Sequence, residues 1–282
     1  MILSMVKRNL KCYFRDKASV FFSMFGVIII IGLYLLFLGS MIEGSVSSFA
    51  GDNARFFIDS WIMGGVVAAS TMTTTLGAYG IMVTDQSTKV IRDFKSSPMK
   101  RWQLVLSYII SAMIIGSIMS LFTLVLAEAY ICIKGSILSF DTLVKVLLVM
   151  LLSVTSSSAL VFFMIVFIKS SNAFAAVSTI IGTFIGFMTG IYIPIGQLPS
   201  AVQTVIKIFP ISHSAVLLRQ LMMNEAIPIN LVPEEFRLFL GINLEANGVV
   251  IANWVHIMVL VGTAVVFYLA SLIIVTRRKE KE

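Results

Sequence analysis

Charged residues are scarce in this 282-residue chain. Asp, Glu, Lys and Arg make up 12% of the sequence, against about 25% in an average soluble domain. Hydrophobic residues make up 58%, and the mean hydropathy is +0.98. This composition leaves too little charge to cover a water-soluble globule and is too apolar for a disordered chain. A polytopic membrane protein remains, because apolar runs longer than about 18 residues recur along the chain.

Cysteine and histidine are also few. Two cysteines, Cys12 and Cys132, provide neither a disulfide framework nor the spacing of a metal site. The two histidines, His213 and His256, lie far apart in the sequence. The chain contains no G-x-x-x-x-G-K-[ST] phosphate loop and no G-x-S-x-G or H-E-x-x-H motif. We therefore expect no cofactor site and no catalytic site in the chain itself.

Six apolar segments are long enough, at about 1.5 Å per residue, to cross a hydrocarbon core of about 30 Å. We therefore expect an all-α polytopic membrane protein, with six transmembrane helices in a single domain over residues 18–282. The expected spans are 18–41, 61–84, 103–133, 142–168, 173–193 and 254–276. Trp61, Trp102 and Trp254 stand at the starts of three spans, as interfacial anchors do.

The basic residues are distributed unevenly between the two sides of the predicted bundle. Of the 21 Lys and Arg residues, 15 fall on the side that carries both termini and 6 on the other. The positive-inside rule therefore predicts a multi-pass protein of the cell membrane with both termini in the cytoplasm. This distribution also accounts for the net charge of +7, so the charge predicts no nucleic-acid partner.

Residues 1–17 precede the first span and repeat with a helical period. The apolar positions are Ile2, Leu3, Val6, Leu10, Tyr13 and Phe14, and the basic positions are Lys7, Arg8, Lys11 and Arg15. The pattern predicts a cytoplasmic interfacial helix whose apolar side binds membrane lipid. Its basic side either only fixes the orientation on the inner leaflet or also docks a cytoplasmic partner.

The loop 85–102 is longer than a minimal connection and reads DQSTKVIRDFKSSPMKRW. We expect a short helix through residues 90–95 and a break before Pro98. A new helix then leads from Pro98 into the third span, because proline disfavours helix in the residue before it and suits a helix start. The loop is either a positive-inside loop alone or a short helix that docks a soluble protein.

The segment 194–253 is the longest stretch outside the predicted spans. It contains two short apolar helices, 201–209 and 212–223, punctuated by Pro199 and Pro210. Neither helix is long enough to span a membrane, and both are too apolar for a loop in water. We therefore expect an external re-entrant helical hairpin between the fifth and sixth spans. The more polar remainder of the segment forms an external cap.

A few polar residues lie inside the predicted spans. Glu128 is the one carboxylate well inside a span, and such a residue is a functional candidate by default. A structural hydrogen bond near the outer end of the third span is the alternative. Hydroxyl runs at 70–75 and 153–158 either bond to carbonyls and neighbouring helices or give a pathway a weakly polar lining. The candidates for a pathway or gate, besides Glu128, are Thr71, Thr74, Thr75 and Ser157.

Three glycines, Gly182, Gly186 and Gly190, recur at every fourth position in the fifth predicted span. This spacing permits the close approach of two helices. The stripe therefore predicts helix packing rather than contact with a substrate.

Several stretches of the chain together resemble the permease subunit of the type 2 ABC exporters, the class that includes drug, antibiotic-peptide and polysaccharide exporters. They are the basic N-terminal helix, the loop IRDFKSSPMKRWQLVLSYI, and the stretch GIYIPIGQLP followed by IFPISHSAVLLRQLM. The resemblance covers nearly the whole chain, although no single motif is as diagnostic as a phosphate-binding loop. It implies that two permease subunits, in a homodimer or a heterodimer, form a pathway at their interface.

The resemblance also implies that two separate ABC ATPase subunits bind ATP and Mg²⁺ and power the transport. They would dock on the N-terminal helix and on the loop after the second span. The implied coupling residues are Lys7, Arg8, Lys11, Arg15, Lys89, Arg92, Asp93, Phe94, Pro98, Lys100 and Arg101. The implied external hairpin is marked by Pro194, Pro199, Pro210 and Arg219.

The direction of transport implied by the resemblance is export. The short external cap and the apolar spans favour an amphipathic or hydrophobic substrate, such as a drug, an antimicrobial peptide or a lipid-like molecule. The alternative is an ion-coupled secondary transporter, which would need broken spans and charged residues near the midplane. An intramembrane enzyme is disfavoured because no nucleophile–base or metal motif occurs, and a structural or sensor role without transport is a further alternative.

Overall fold

The structure, a computed structural model, describes residues 1–34, 46, 50–96, 98–133, 135–246 and 248–277. Its helices are α1 (Ile2–Arg15), α2 (Lys17–Leu33), α3 (Ala54–Ser87), α4 (Ile91–Ser96), α5 (Arg101–Ile133), α6 (Phe140–Ile165), α7 (Ser171–Met188), α8 (Ser200–Ile208), α9 (Pro210–Met223), α10 (Glu234–Phe239) and α11 (Asn253–Arg277). Short 3₁₀ turns lie at Gly51–Asn53, Ile195–Gln197 and Ile229–Leu231. Strands β1 (Glu245–Ala246) and β2 (Val249–Val250) pair antiparallel.

Within the described residues, five helices are long and apolar enough to cross a membrane: α3 with the turn before it, α5, α6, α7 and α11. The pair α8 and α9, bent by 84°, raises this number to six if it counts as one span. The prediction of an all-α polytopic membrane protein is therefore confirmed. α2 is apolar but shorter, and residues 35–41 of the predicted first span lie outside the described residues.

Contacts between distant residues define two ends of the bundle. At one end, Arg8 of α1 contacts Asp85 near the end of α3. At the other end, Tyr130 near the end of α5 contacts Arg55 near the start of α3, and Trp61 donates a hydrogen bond to the loop after α10. We call the first the terminal end and the second the hairpin end, where α8, α9 and α10 lie.

α3 forms the centre of the core and packs against α2, α5, α6, α7 and α9. Large apolar side chains such as Phe57 and Trp61 are almost completely buried. A Cβ added at Gly64 would lie 3.0 Å from the Arg219 Cα atom of α9. Glycine at this position therefore allows α9 to approach the backbone of α3, as small residues do between membrane helices.

Side chains fix several helix starts. Asp16 accepts a hydrogen bond from the backbone N–H of Ser19 (3.1 Å) at the start of α2, and Ser139 and Ser170 act in the same way for α6 and α7. Hydrogen bonds from Ser19, first from its hydroxyl, lower the pKa of the exposed Asp16 carboxyl. Pro210 stands in the first turn of α9, where its missing N–H has no helical partner to lose.

The bounds of α3 and α7 differ from the predicted spans. α3 begins at Ala54, earlier than predicted, and therefore contains Asp59. Glu128 is thus not the one carboxylate inside a span. α7 ends at Met188, earlier than predicted, because the chain leaves the helix through Gly190, whose φ is +67°.

The loop between α3 and α5 contains the expected short helix, but the next helix begins later than expected. α5 starts at Arg101 rather than at Pro98. The side chain of Gln103 accepts a hydrogen bond from the backbone N–H of Lys100 (3.0 Å), which satisfies a free donor at the helix start. The predicted start at Pro98 is therefore wrong by one helical turn.

α1 is two-sided, although its buried side differs from the predicted apolar side. Val6, Asn9 and Tyr13 are buried, and α1 packs against α2, α3 and α5. Two of the predicted apolar positions, Leu3 and Phe14, are exposed. One side of α1 is buried because Arg8 and Asn9 bond to Asp85 of α3 and Ser111 of α5. Contact of the exposed side with lipid stays a prediction.

Candidate functional site

An elongated groove lies between α2, α3 and α7, with α1 at its terminal end. Its volume is about 660 Å³, which falls within the range of about 300–1,000 Å³ for ligand pockets. The wall is mainly apolar, with hydroxyl groups at intervals. Apolar lining residues include Phe22, Val27, Ile30, Leu76, Phe174 and Ile185, and hydroxyl-bearing ones include Ser19, Ser23, Thr73, Thr84, Ser171 and Ser178.

Glycines keep the groove wide on two of its walls. Gly26 of α2 and Gly182 of α7 line the groove, and a Cβ at either position would meet no atom of the described residues within 4 Å. Gly182 therefore lies on the groove surface rather than in a helix contact. A Cβ at Gly186, by contrast, would lie 2.2 Å from the Tyr192 ring. This close approach is to the loop after α7, so neither position makes the predicted helix contact within the described residues of one chain.

Arg8 and Asp85 form an ion pair that lines the terminal end of the groove. Arg8 donates from both terminal nitrogens to the carboxylate, and the Nη2–Oδ1 distance is 2.7 Å. Tyr108 of α5 donates to Asp85 Oδ2 at 2.6 Å. The hydrogen bond to Asp85 raises the pKa of the Arg8 guanidinium above its ordinary value. The cluster connects α1, α3 and α5 through one carboxylate.

The same arginine also reaches α4. Its guanidinium carbon lies 5.3 Å from the centroid of the Phe94 ring, a cation–π distance. Asn9, the next residue in α1, accepts a hydrogen bond from Arg8 (3.0 Å) and donates one to Ser111 of α5 (3.1 Å). Two of the predicted coupling residues, Arg8 and Phe94, are therefore brought together.

The remaining predicted coupling residues are exposed at the terminal end. Lys7, Lys11 and Arg15 of α1 line a shallow surface cavity of about 370 Å³ together with Ser4 and Cys12. The other exposed coupling residues follow α3 in the chain, up to the first residue of α5. They are Lys89, Arg92, Asp93, Pro98, Lys100 and Arg101. The structure thus places both predicted segments at the same end of the bundle. Of the predicted coupling residues, only Arg8 and Phe94 are partly buried.

A second buried carboxylate lies at the hairpin end of α3. Asp59 is 1% exposed and accepts a hydrogen bond from the hydroxyl of Tyr34, at the end of α2 (2.8 Å). Arg55 donates to the same carboxylate at 3.3 Å, and the Tyr130 hydroxyl of α5 donates to it at 3.4 Å. Ile30, one helical turn before Tyr34, lines the groove. The cluster therefore holds α2, α3 and α5 together just beyond the groove.

The predicted pathway hydroxyls are buried between helices. Thr71 of α3 lies 3.4 Å from the hydroxyl of Ser157 on α6. Thr74 and Thr75 donate to carbonyl oxygens one turn earlier in α3. Such bonds satisfy hydroxyls inside a span and do not require a substrate. Thr73, outside the predicted set, lines the groove.

Glu128 is engaged by the loop between α5 and α6. Its Oε1 atom accepts a hydrogen bond from the backbone N–H of Leu138 (2.9 Å). Its Oε2 atom is buried and has no hydrogen-bond partner within the ranges that the structure describes. Glu128 lies at the hairpin end of α5 and is not among the residues that line the groove in the described chain. These contacts correspond to the structural alternative for this carboxylate.

The predicted hairpin residues lie together at the hairpin end. The Arg219 side chain is fully buried, its Nε atom donates to the carbonyl of Trp61 (3.1 Å), and its guanidinium carbon lies 4.8 Å from the Trp61 ring centroid. Trp61 in turn donates to the carbonyl of Leu240 (2.8 Å). Pro194 precedes the 3₁₀ turn that follows α7, Pro199 precedes α8, and Pro210 begins α9.

Other polar groups at the hairpin end have partners within the chain. Glu225 accepts hydrogen bonds from Ser139 and Thr142, and these bonds lower the pKa of the Glu225 carboxyl. The Nδ1 atoms of His213 and His256 lie 2.6 Å apart. Within the described residues, no group of three or more His, Cys, Asp or Glu is placed to hold a metal ion.

Asp59, Asp85 and their tyrosine partners are absent from the sequence prediction. Asp59 stands four residues after Arg55, the spacing of an ion pair on one helix face, and this signal could have identified it. Asp85 directly follows the last apolar turn of α3, and this position could have identified it as a candidate. Tyr34 and Tyr108 carry no such local signal, because their partners are distant in the sequence.

Comparison with known protein families matches residues 1–223 to the family described as ABC-2 type transporter. The match covers more than half of the chain, from α1 through the helices of the groove to the end of α9. Comparison with curated proteins found none that matches the chain.

Proposed function

Because the chain belongs to the ABC-2 type transporter family as a membrane permease subunit, we propose that it forms one half of the pathway of an ATP-driven exporter. Two separate ATPase subunits bind ATP and Mg²⁺, and a second permease subunit completes the pathway. Both termini lie in the cytoplasm, and the substrate moves out of the cell. The observation that carries this proposal is the groove, whose terminal end adjoins both segments expected to contact the ATPases.

The contacts of Arg8 support the coupling part of the proposal. Its side chain touches Phe94 of α4 and pairs with Asp85, which lines the groove. A displacement of α4 by the ATPases would therefore move groups at the mouth of the groove. The exposed basic residues of α1 and of the loop after α3 provide the adjacent surface on which an ATPase with acidic groups would dock.

The exposed apolar side chains beside the groove support a second permease subunit. They include Phe21, Phe22 and Phe25 of α2 and Ile180 and Phe184 of α7. If the same helices of a second subunit packed against them, the groove would become the wall of a closed passage. Cyclic pairing of this kind is the commonest assembly of homo-oligomers. The second subunit is a copy of this chain or a different permease.

The groove wall supports an amphipathic or hydrophobic substrate. Phe22, Leu76 and Phe174 provide apolar contact, and Ser23 and Thr73 provide scattered hydroxyl groups. Hydroxyls bond a polar group without the desolvation cost of a full charge. A drug, an antimicrobial peptide or a lipid-like molecule has this combination of surfaces.

The two aspartate clusters of α3 lie where gates of such a pathway would operate. The Arg8–Asp85 pair lies at the open terminal end of the groove. The Tyr34–Asp59 bond lies beyond the other end and holds α2 against α3. Release of a substrate toward the hairpin end would require this second contact to open.

Reconstitution tests the proposal against its alternative. The permease and its ATPase are placed in proteoliposomes with a panel of amphipathic dyes and cationic peptides. We expect ATP-dependent transport that vanadate abolishes and that an uncoupler leaves intact, together with substrate-stimulated ATP hydrolysis. Transport by the permease alone, lost on addition of the uncoupler, would instead support an ion-coupled secondary transporter.

A further inference from the structure

A second cavity lies at the hairpin end, between α6, α9, the region of α10 and the start of α11. Its volume is about 660 Å³, and it shares no lining residue with the groove. The proposed transport mechanism makes no use of it. Its lining combines two basic side chains, several amides and an apolar floor, so its chemistry differs from that of the groove.

The polar side of this cavity is basic and incompletely hydrogen bonded. Lys145 and Arg237 line it, and no carboxylate of the described residues does. Lys145 is paired with Asp141, but both side chains are exposed, and an exposed pair of this kind is weak and exchanges readily. The Nε atom of Arg237 is buried and has no hydrogen-bond partner among the described residues. Glu225, which contacts the lining residue Thr142, is already bound by this residue and by Ser139.

Gln220 contributes a free acceptor to the same cavity. Its Nε2 atom donates to the Ile242 carbonyl (2.9 Å) and to Asn243 Oδ1 (2.8 Å), and these bonds fix the amide. Its Oε1 atom is buried and accepts no hydrogen bond from the part of the chain that the structure describes. Buried polar atoms normally have partners. The cavity thus offers both an unused donor, on Arg237, and an unused acceptor.

The apolar side of the cavity continues onto the outer surface of the bundle. Leu148 of α6 and Ile257 of α11 line the cavity and are 60% and 43% exposed. Leu151 and Val261, about one turn closer to the terminal end, are exposed as well. Because α6 and α11 pack against each other, these residues form an apolar furrow that leads from the cavity along the face expected to meet lipid chains.

We propose that this cavity binds an anionic phospholipid with a hydroxyl-bearing headgroup, of the phosphatidylglycerol type. The phosphate accepts hydrogen bonds from Lys145 and Arg237, and a headgroup hydroxyl donates to Gln220 Oε1. An acyl chain lies along Leu148 and Ile257. The lipid is assigned to the outer leaflet on the basis of the proposed orientation. Its contacts with the cavity do not depend on that orientation.

The shared chemistry is a phosphate ester with a hydroxyl group, so the experiment separates lipid from free headgroup. The full-length chain, purified alone in detergent, is titrated with short-chain phosphatidylglycerol, with phosphatidylcholine of the same chain length, and with glycerol phosphate. Native mass spectrometry and thermal unfolding report binding. We expect phosphatidylglycerol to bind at least about tenfold more tightly than either comparison ligand, since charge-assisted hydrogen bonds and the chain contact both contribute.

Variants locate the site. The double variant Lys145→Gln, Arg237→Gln is expected to weaken phosphatidylglycerol binding by about tenfold. Lys207→Gln is the matched control, because Lys207 is also at the hairpin end but lines none of the described cavities, and it should bind as the wild type does. The conservative Arg237→Lys should retain most of the affinity. An unfolding midpoint that is unchanged without lipid shows that a variant is folded. If the double variant does not fold, the lipid affinities of Lys145→Gln and Arg237→Lys are compared with the wild type instead.

Three results would overturn the proposal. Equal binding of phosphatidylcholine would show that the apolar furrow alone retains lipid. Equal binding of glycerol phosphate would identify a site for a free phosphate ester. Wild-type affinity in the folded double variant, or in Lys145→Gln if the double variant does not fold, would place the lipid elsewhere. None of these measurements uses an ATPase or a transported substrate, so their failure is distinct from failure of the proposed export function.

Discussion

Asp85 connects three helices through a single side chain. It belongs to α3 and accepts hydrogen bonds from Arg8 of α1 and Tyr108 of α5. A buried carboxylate needs donors that replace its lost water, so each partner depends on the others. The position of α1 relative to α3 and α5 is therefore set by one carboxylate that also borders the groove.

Neutralising this carboxylate should weaken coupling. We expect Asp85→Asn to lower the free energy of unfolding by about 1–2 kcal/mol, because charge-assisted hydrogen bonds contribute about 1.5–3 kcal/mol and Arg8 is partly exposed. Transport should fall several-fold while ATP hydrolysis continues. Thermal unfolding and the ratio of substrate moved to ATP hydrolysed measure the two effects.

Asp141→Asn is the matched control, since it removes an aspartate from an exposed pair with Lys145. It should change stability by less than about 1 kcal/mol. If Asp85→Asn behaved like this control in both measurements, the coupling role of the cluster would be refuted.

The Tyr34 hydroxyl should matter for closure of the hairpin end. Tyr34→Phe removes the donor that bonds α2 to Asp59, a contact of about 1 kcal/mol, which corresponds to roughly a fivefold change in an equilibrium. We expect more ATP to be hydrolysed for each substrate molecule moved, measured in proteoliposomes. Tyr130→Phe, which leaves the α2 contact in place, should have a smaller effect, and equal effects would contradict a specific role for Tyr34.

At the residue scale, exposed charges were easier to predict than buried ones. Lys7 and Lys11 follow from the amphipathic pattern of α1, and both are exposed. Arg8 has the same local pattern, yet its environment is set by Asp85, 77 positions away. Burial of such a pair depends on which helices meet, and no local period contains that information.

At the scale of elements, the uninterrupted apolar helices were the most predictable. The expected third span, 103–133, corresponds closely to α5, because it contains no proline and its single glycine, Gly116, lies in mid-helix, where an isolated glycine is tolerated. α7 ended earlier than its apolar run, since Gly190 adopts a left-handed conformation. The remaining part of the first span lies outside the described residues, and its prediction stands as such.

Two glycines of α7 provide an internal comparison. Gly182 lines the groove, and a Cβ there would meet no atom of the described residues within 4 Å. Gly182→Leu should therefore reduce transport several-fold and leave the unfolding midpoint unchanged or slightly raised, because leucine favours helix over glycine. Gly186→Ala should lower the midpoint instead, since its Cβ would collide with Tyr192. Loss of stability in Gly182→Leu, or normal transport by it, would argue against the groove as a pathway.

At the scale of the whole molecule, pairing of two permeases over the groove can be tested by crosslinking. In a background of Cys12→Ser and Cys132→Ser, Phe22→Cys should form an oxidant-induced disulfide to the second subunit, seen as a band of double mass for a homodimer. Phe122→Cys on α5 is an equally apolar and similarly exposed control that should remain monomeric. Crosslinking of the control alone would place the interface on a different face.

The native cysteines test the orientation of the chain. Cys12 is exposed at the terminal end and Cys132 at the hairpin end. A membrane-impermeant maleimide added to intact cells should label Cys132 and leave Cys12 unmodified until the membrane is opened. Each single variant, Cys12→Ser and Cys132→Ser, identifies its band, and labelling of Cys12 in intact cells would reverse the proposed topology.

Trp61 links α3 to α9 and to the loop after α10 at the hairpin end. Its carbonyl accepts a hydrogen bond from Arg219, and its indole donates to the loop that follows α10. A tilt of α3 that widens the groove must therefore shift this loop and the β1–β2 pair beside it. In the proposed orientation, an antibody fragment selected against the exposed residues of the β1–β2 pair, such as Ala246 and Val249, would distinguish nucleotide-bound from nucleotide-free transporter on living cells, without entering the cytoplasm.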